Sequence, residues 1–196
     1  MPSQELLGKV DAYLYLFYLV LFQSIESNIS FLVSSIPFRC SPFIYQLQHL
    51  EVLAANSNFL SGTIPFMVDR LKDLHVLYLD GNELIGTIPS SLPPNLVELY
   101  LSKNTLEGGI PEGISKLHHL EKLILHENLL GSDPNAIPQS LGNISSLKKL
   151  YLHENSFVGE MPKKVCDLRY LNLMDFSSDC GGNPAEIECF CCTSCF

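Results

Sequence analysis

An asparagine returns along this chain at Asn58, Asn82, Asn104, Asn128 and Asn155, in steps of 24, 22, 24 and 27 residues. Each time it follows evenly spaced leucines. Leu71, Leu74, Leu77 and Leu79 stand ahead of Asn82, and Leu96, Leu99 and Leu101 ahead of Asn104. Leu117, Leu120, Leu123 and Leu125 precede Asn128; Ile144, Leu147, Leu150 and Leu152 precede Asn155. The same frame sets Leu168, Leu171, Met174 and Phe176 ahead of Asp179. A second constant element follows each asparagine: FLSGTIP to Pro65, ELIGTIP to Pro89, TLEGGIP to Pro111 and SFVGEMP to Pro162, while LLGSDPNAIP to Pro138 holds three extra residues. A period of this length is the mark of stacked coils, because one coil alone cannot cover its own leucines. The triplet His-Glu-Asn at 126–128 and 153–155 is therefore one position in the coil, written twice.

The residue types fit that reading. In Leu-x-Leu the leucines alternate with period two, as on a strand with one buried face. The asparagine turns the chain, and its amide serves backbone groups that a turn leaves unpaired. Proline after Ile fixes φ and ends a ladder, and the glycine three residues before it permits tight geometry.

The pattern LxxLxLxxNxLxGxIP resembles the plant-type class of the leucine-rich repeat family, firmly from about Leu47 to Asp179. The resemblance implies an α/β repeat: a right-handed solenoid with a parallel β-sheet on the concave face and irregular or 3-10 segments on the convex face. Three parts follow: an N-terminal hydrophobic segment at 1–46, repeats at 47–179 and a cysteine-rich C-terminal cap at 180–196.

Both ends of a solenoid need closing. Six of the seven cysteines crowd the C-terminal side, Cys166, Cys180, Cys189, Cys191, Cys192 and Cys195, with Cys40 apart. The family, including algal extracellular members, often closes this end with disulfides, and such crowding suits an oxidising compartment. Zinc at CxCCxxC is the competing reading, although zinc sites usually present two separated pairs of ligands. Asp179 stands where an asparagine is expected, which keeps an acceptor and loses an amide donor.

At the N-terminus, eleven apolar residues from Ala12 to Phe22 follow Lys9. They are too few for a transmembrane helix and within the range of a signal peptide, but Glu5 and Asp11 are unusual there and no A-x-A-like cleavage site follows. SFLVSSIP, ending at Pro37, matches NFLSGTIP, so that Leu19, Phe22 and Ile25 fall on leucine positions of a decayed first coil. A decayed coil, an atypical signal and a peripheral anchor all remain open, as does a truncated gene start.

Composition narrows the function. A net charge of −9 argues against nucleic acid, which needs clustered lysine and arginine. At 46% apolar and 17% charged the chain is built to fold. No nucleophile–base spacing, phosphate-cradling glycine loop or HExxH is present, so no catalytic residue, metal or cofactor is expected. The concave strands are the candidate ligand-binding face, in three columns: Tyr78, Tyr100, Ile124, Tyr151 and Asp175; then Asp80, Ser102, His126, His153 and Ser177; then Gly81, Lys103, Glu127, Glu154 and Ser178. Stacking puts His126 beside His153, which suits either a solvated polar face or a metal or pH-sensing pair. A row of tyrosines suits a binding hot spot or cross-strand packing. Glu98, Lys122 and Lys149 form a mixed-charge row beside it, and Asn28 and Asn143 open glycosylation sequons.

The resemblance implies a non-catalytic recognition module, secreted or membrane-associated, that takes a protein, peptide or cell-wall carbohydrate. With no kinase segment or downstream membrane span, such a chain would work with a signalling co-receptor. Inhibition of a secreted polysaccharide-degrading enzyme and a structural or adhesive surface role are the alternatives. All of these are inferences by fold analogy.

Overall fold

The computed structural model describes residues 28–30, 49–131, 133–181 and 187–196. An eight-stranded parallel sheet runs through the chain in the order β1-β2-β4-β6-β8-β10-β12-β14. Its strands are β1 (Asn28–Ser30), β2 (Val52–Ala54), β4 (Val76–Tyr78), β6 (Glu98–Tyr100), β8 (Lys122–Ile124), β10 (Lys149–Tyr151), β12 (Asp175–Ser178) and β14 (Ser194–Cys195). One strand per coil, each paired with the next, is the leucine-rich repeat solenoid. In register, Leu53, Leu77, Leu99, Leu123, Leu150 and Phe176 stand side by side, and all are buried.

The chain leaves each strand at the asparagine. Asn104 Nδ2 donates to the carbonyls of Leu79, Leu101 and Ser102 at 3.0–3.1 Å, and its Oδ1 accepts the Leu84 N–H at 3.0 Å. Asn82, Asn128 and Asn155 repeat the pattern. Each thus closes its own turn and holds the coil before it. The residue ahead of each asparagine is left-handed, Gly81 at φ 64° and Lys103, Glu127 and Glu154 at 55–56°.

The LxGxIP segments form a second parallel sheet, β3-β5-β7-β9 (Ser61–Thr63, Glu83–Thr87, Thr105–Gly108, Leu129–Leu130), in addition to the concave sheet that the resemblance implied. The alternation Leu-x-Gly-x-Ile after the asparagine was the overlooked signal, with Leu84 and Ile88, and Leu106 and Ile110, pointing into the core. Beyond Pro65, Pro111 and Pro138, 3-10 turns at Phe66–Arg70, Glu112–Lys116 and Gln139–Asn143 form the convex side, as expected. The proline supplies an extended φ/ψ and has no N–H to leave unpaired at the turn.

The last full coil departs from the expected frame by two residues. After Pro162 the chain enters α1 (Lys163–Asp167) and a 3-10 turn at Leu168–Tyr170, a longer path than in the other coils. Leu168, Leu173 and Phe176 are buried, whereas Leu171 and Met174 are 61% and 72% exposed, so these two are not core positions. Register sets Ser177 beside Tyr151 and Asp175 beside Lys149. Asp175 and Ser178 therefore leave the concave columns assigned to them from the sequence, and Ser177 moves from the second column to the first. Asp179 likewise is not at the asparagine position. Its carboxylate accepts the N–H groups of Glu154 (2.6 Å) and Asn155 (3.1 Å). One coil earlier the corresponding N–H groups, of Glu127 and Asn128, are met by the carbonyls of His153 and Glu154. One side chain stands in for two backbone acceptors at the end of the stack.

The C-terminal tail adds one strand to the eight-stranded sheet and pairs another in a separate two-stranded sheet. β13 (Ile187–Glu188) pairs with β11 (Gly159–Glu160), and β14 pairs with β12. Disulfides Cys166–Cys191, Cys180–Cys195 and Cys189–Cys192 fasten it. At the other end β1 sets Ile29 opposite Leu53, so the sheet begins before residue 47, and in a register four residues later than the frame through Ile25. The apolar run 12–22 and Cys40 lie outside the described residues. No helix among the described residues is long and apolar enough to cross a membrane.

Candidate ligand-binding face

In the strands from β2 to β12 two side chains face away from the leucine core, one on either side of the central residue. Parallel pairing turns them into columns: Ala54, Tyr78, Tyr100, Ile124, Tyr151 and Ser177, flanked by Val76, Glu98, Lys122, Lys149 and Asp175. The tyrosines are held diagonally by the flanking row. Tyr78 donates its hydroxyl to Glu98 of the next coil, and Tyr151 donates to Asp175. Lys122 Nζ lies 2.8 Å from Glu98, and Lys149 lies 3.6 Å from Asp175. Burial alone would raise the Glu98 carboxyl, but hydrogen bonds from Lys122 and Tyr78 hold it below its ordinary value. The hydrogen bond to Asp175, with burial second, pushes the Tyr151 phenol up to about 12. Both hydroxyls stay protonated and their rings stay oriented at neutral pH. Tyr78 and Tyr100 meet edge to face, with ring centroids 4.6 Å apart. Ile124 is only 4% exposed, between the larger Tyr100 and Tyr151 in its column, so it packs under the rings and offers little contact surface.

The second column holds Asp80, Ser102, His126 and His153. The rings of His126 and His153 stack at 4.7 Å and 9°, and Phe196 stacks on His153 at 4.1 Å. His153 Nδ1 lies 2.6 Å from Ser177 Oγ, while His126 Nδ1 is buried without a partner. Burial, with the neighbouring His153 adding to it, holds His126 below its ordinary value. That shift has a sign. A histidine more reluctant to ionise when folded costs no stability well above 6.5, and stability is lost as pH falls below that value, where only the unfolded chain takes up the proton freely. The midpoint of thermal unfolding should therefore drop as pH is lowered through this window. His126→Gln should flatten that drop, which calorimetry at a series of pH values reads directly.

In the third column Lys103 lies 3.3 Å from Glu127, which also approaches His126 Nε2 at 3.7 Å; Glu154 is exposed. Of the expected contact residues, the structure brings Tyr78, Asp80, Tyr100, Lys103, His126, Glu127, Tyr151, His153 and Glu154 to one face. Glu98, read from sequence as one of a mixed-charge row, holds the Tyr78 hydroxyl and is itself held by Lys122. At the cap, the sulfurs of Cys180, Cys189 and Cys192 lie within 4.8 Å of one another, a spacing open to a metal. All three are in disulfides, and zinc binds thiolates, so the tail does not fit a zinc site.

A family model described as Leucine Rich Repeat matches residues 73–94 and 95–117, two successive coils of this sheet. Residues 73–117 are leucine-rich repeats, and the sheet they belong to continues with the same register on both sides. A probable leucine-rich repeat receptor-like serine/threonine-protein kinase of Arabidopsis thaliana is 35% identical over 80 residues, 41% of this chain and 11% of the relative. Among solved structures, the plant peptide hormone receptor RGFR1, in complex with RGF2, superposes with a TM-score of 0.61 at 33% identity, over 69% of this chain and 21% of the receptor. The Arabidopsis receptor kinase HAESA, in complex with the peptide hormone IDA and the co-receptor SERK1, gives the same TM-score and identity over 74% of this chain and 25% of HAESA. This leucine-rich repeat chain thus spans about a tenth of the length of the receptor-like kinase it matches.

Proposed function

We propose that this chain is a non-catalytic recognition module that binds a peptide or protein partner on its concave face, outside the cell. The observation that carries the reading is the tyrosine column: rings fixed by carboxylates on the next coil form a rigid amphipathic strip. Such a strip loses little side-chain entropy when a ligand covers it. Solved relatives that hold peptide hormones and a co-receptor support peptide or protein as the ligand class, ahead of cell-wall carbohydrate. The three disulfides favour the secretory pathway. In this reading Asn143 is a glycan acceptor, exposed at the end of a convex 3-10 turn and clear of the binding face. Asn28 is a second acceptor in the same reading.

The test is a quantitative capture experiment with the full chain immobilised and extracellular peptides and proteins offered in solution. Wild type should retain a partner that Tyr100→Ala/Tyr151→Ala holds at least about 100-fold more weakly, the loss of two aromatic anchors. The variant should keep its far-ultraviolet circular dichroism. Equal retention by a folded variant would place recognition elsewhere. Retention of a polysaccharide-degrading enzyme in an inactive state would turn the reading into that of an inhibitor.

A further inference from the structure

On the concave face most polar groups are already spent on one another. Glu98 is taken by Lys122 and Tyr78, Asp175 by Tyr151 and Lys149, and Glu127 by Lys103. Asp179 caps backbone N–H groups, and Phe196 covers His153 at the C-terminal end. Asp80 differs. It follows Tyr78 by two residues, so the two side chains share the concave face of one strand, about 7 Å apart. Tyr100 stands opposite Tyr78 on the next coil, and Ser102 follows Tyr100 by the same spacing. On the preceding coil Ala54 is in register with Tyr78, and Asn56 follows it by two. The carboxylate thus lies in a square with two aromatic rings and the small, buried Ser102, and Ala54 leaves the near side of Tyr78 uncrowded.

None of the ion pairs among the described residues includes Asp80. Lys103, whose charge acts on Asp80, is engaged with Glu127. Burial raises the Asp80 carboxyl above its ordinary value, only partly offset by its own backbone N–H and by Lys103. The fold therefore holds a carboxylate in partial burial that Lys103 compensates only in part, beside two rings whose faces attract positive charge.

We infer that Tyr78, Asp80 and Tyr100, with Ala54 and Ser102 as floor and wall, form a subsite for a cationic side chain, lysine or arginine, of a peptide ligand. The inference rests on the recognition reading above for its ligand class, but its test does not require the natural partner. Planar guanidinium suits the square well, because it lies against an aromatic face while its edge donates to the carboxylate.

The test uses the whole oxidised chain with tyrosine ring signals assigned by NMR. It is titrated with Nα-acetyl-arginine amide and with the citrulline analogue, which has the same shape without the charge. The arginine probe should shift the Tyr78 and Tyr100 ring resonances saturably, at least about tenfold more tightly than citrulline. Asp80→Asn should erase that preference and, by removing a poorly compensated charge, leave the melting temperature at neutral pH equal or higher. Equal response of the wild type to the two probes would overturn the subsite by itself, as would a preference that survives in Asp80→Asn. Loss of peptide binding in the capture experiment with the arginine preference intact would instead remove the recognition reading and leave the cation subsite standing.

Discussion

Asn104→Leu will lower the stability of this chain by about 3–5 kcal/mol while keeping the branching of the side-chain heavy atoms. The reason lies in an asymmetry of the asparagine ladder. Its acceptors are shared: the Leu79 carbonyl is also bound by Asn82, the Leu101 carbonyl also by Asn128, and the Ser102 carbonyl also takes the Gly81 N–H. Those carbonyls keep a partner when Asn104 is lost. The donor side has no such cover. The Leu84 N–H meets Asn104 Oδ1 at 3.0 Å inside the core, and nothing replaces that acceptor. One orphaned buried N–H costs about 1–3 kcal/mol, and the lost amide bonds add to it. Asn104→Asp separates the two halves, since it retains the acceptor but points a charge at three carbonyls. Its destabilisation should shrink as the pH is lowered and the new carboxyl takes up a proton, whereas that of Asn104→Leu should not. Urea unfolding at two pH values distinguishes the variants.

The second large effect belongs to Gly131, where the three-residue insertion of the fifth coil begins. Gly131 bridges to Ser156 on the next coil, its φ is +114°, and an added Cβ would lie 2.3 Å from the Ser156 carbonyl carbon and oxygen. Backbone fills that space, so Gly131→Ala must push two coils apart. We expect a loss of about 3–4 kcal/mol, in the range of severe overpacking with an unfavourable φ. Gly159 supplies the control. It has a φ of +90°, but among the described residues a Cβ there meets only Pro134, at 3.6 Å or more. Gly159→Ala should cost about 1–2 kcal/mol, the conformational penalty alone. Similar losses at both sites in thermal unfolding would show that the coils are not in backbone contact at Gly131.

Much of this architecture was legible from leucine spacing, because a side chain that must face inward leaves a period that no surface demand obscures. Leu77, Leu99, Leu123 and Leu150 fell on the strand centres for that reason. The last coil was misread because it offers apolar residues in two frames, Leu171 and Met174 in one and Leu173 and Phe176 in the other. Counting from the proline favours the first frame, since Met174 follows Pro162 at the distance that separates Leu77 from Pro65 and Leu150 from Pro138; α1 lengthens the path by two residues and defeats that count. The second sheet was missed because a glycine inside each segment hid its alternation.

At the candidate site, sequence located the tyrosine column but not what holds it. Tyr78 and Glu98 are 20 residues apart and meet only through the diagonal between adjacent coils, which becomes visible once register is known. The burial of Ile124 has the same origin: its exposure depends on the size of its neighbours in two other coils, which no local pattern records.

The whole account depends on strands from successive coils lying side by side in one parallel order. Interstrand backbone NOEs on the labelled full chain test this most directly. The account predicts contacts that link Leu53 to Leu77, Leu77 to Leu99, Leu99 to Leu123, Leu123 to Leu150 and Leu150 to Phe176, each pair parallel and in register. Antiparallel contacts, or neighbours that skip a coil, would contradict it and would take the tyrosine strip and the Asp80 subsite with them.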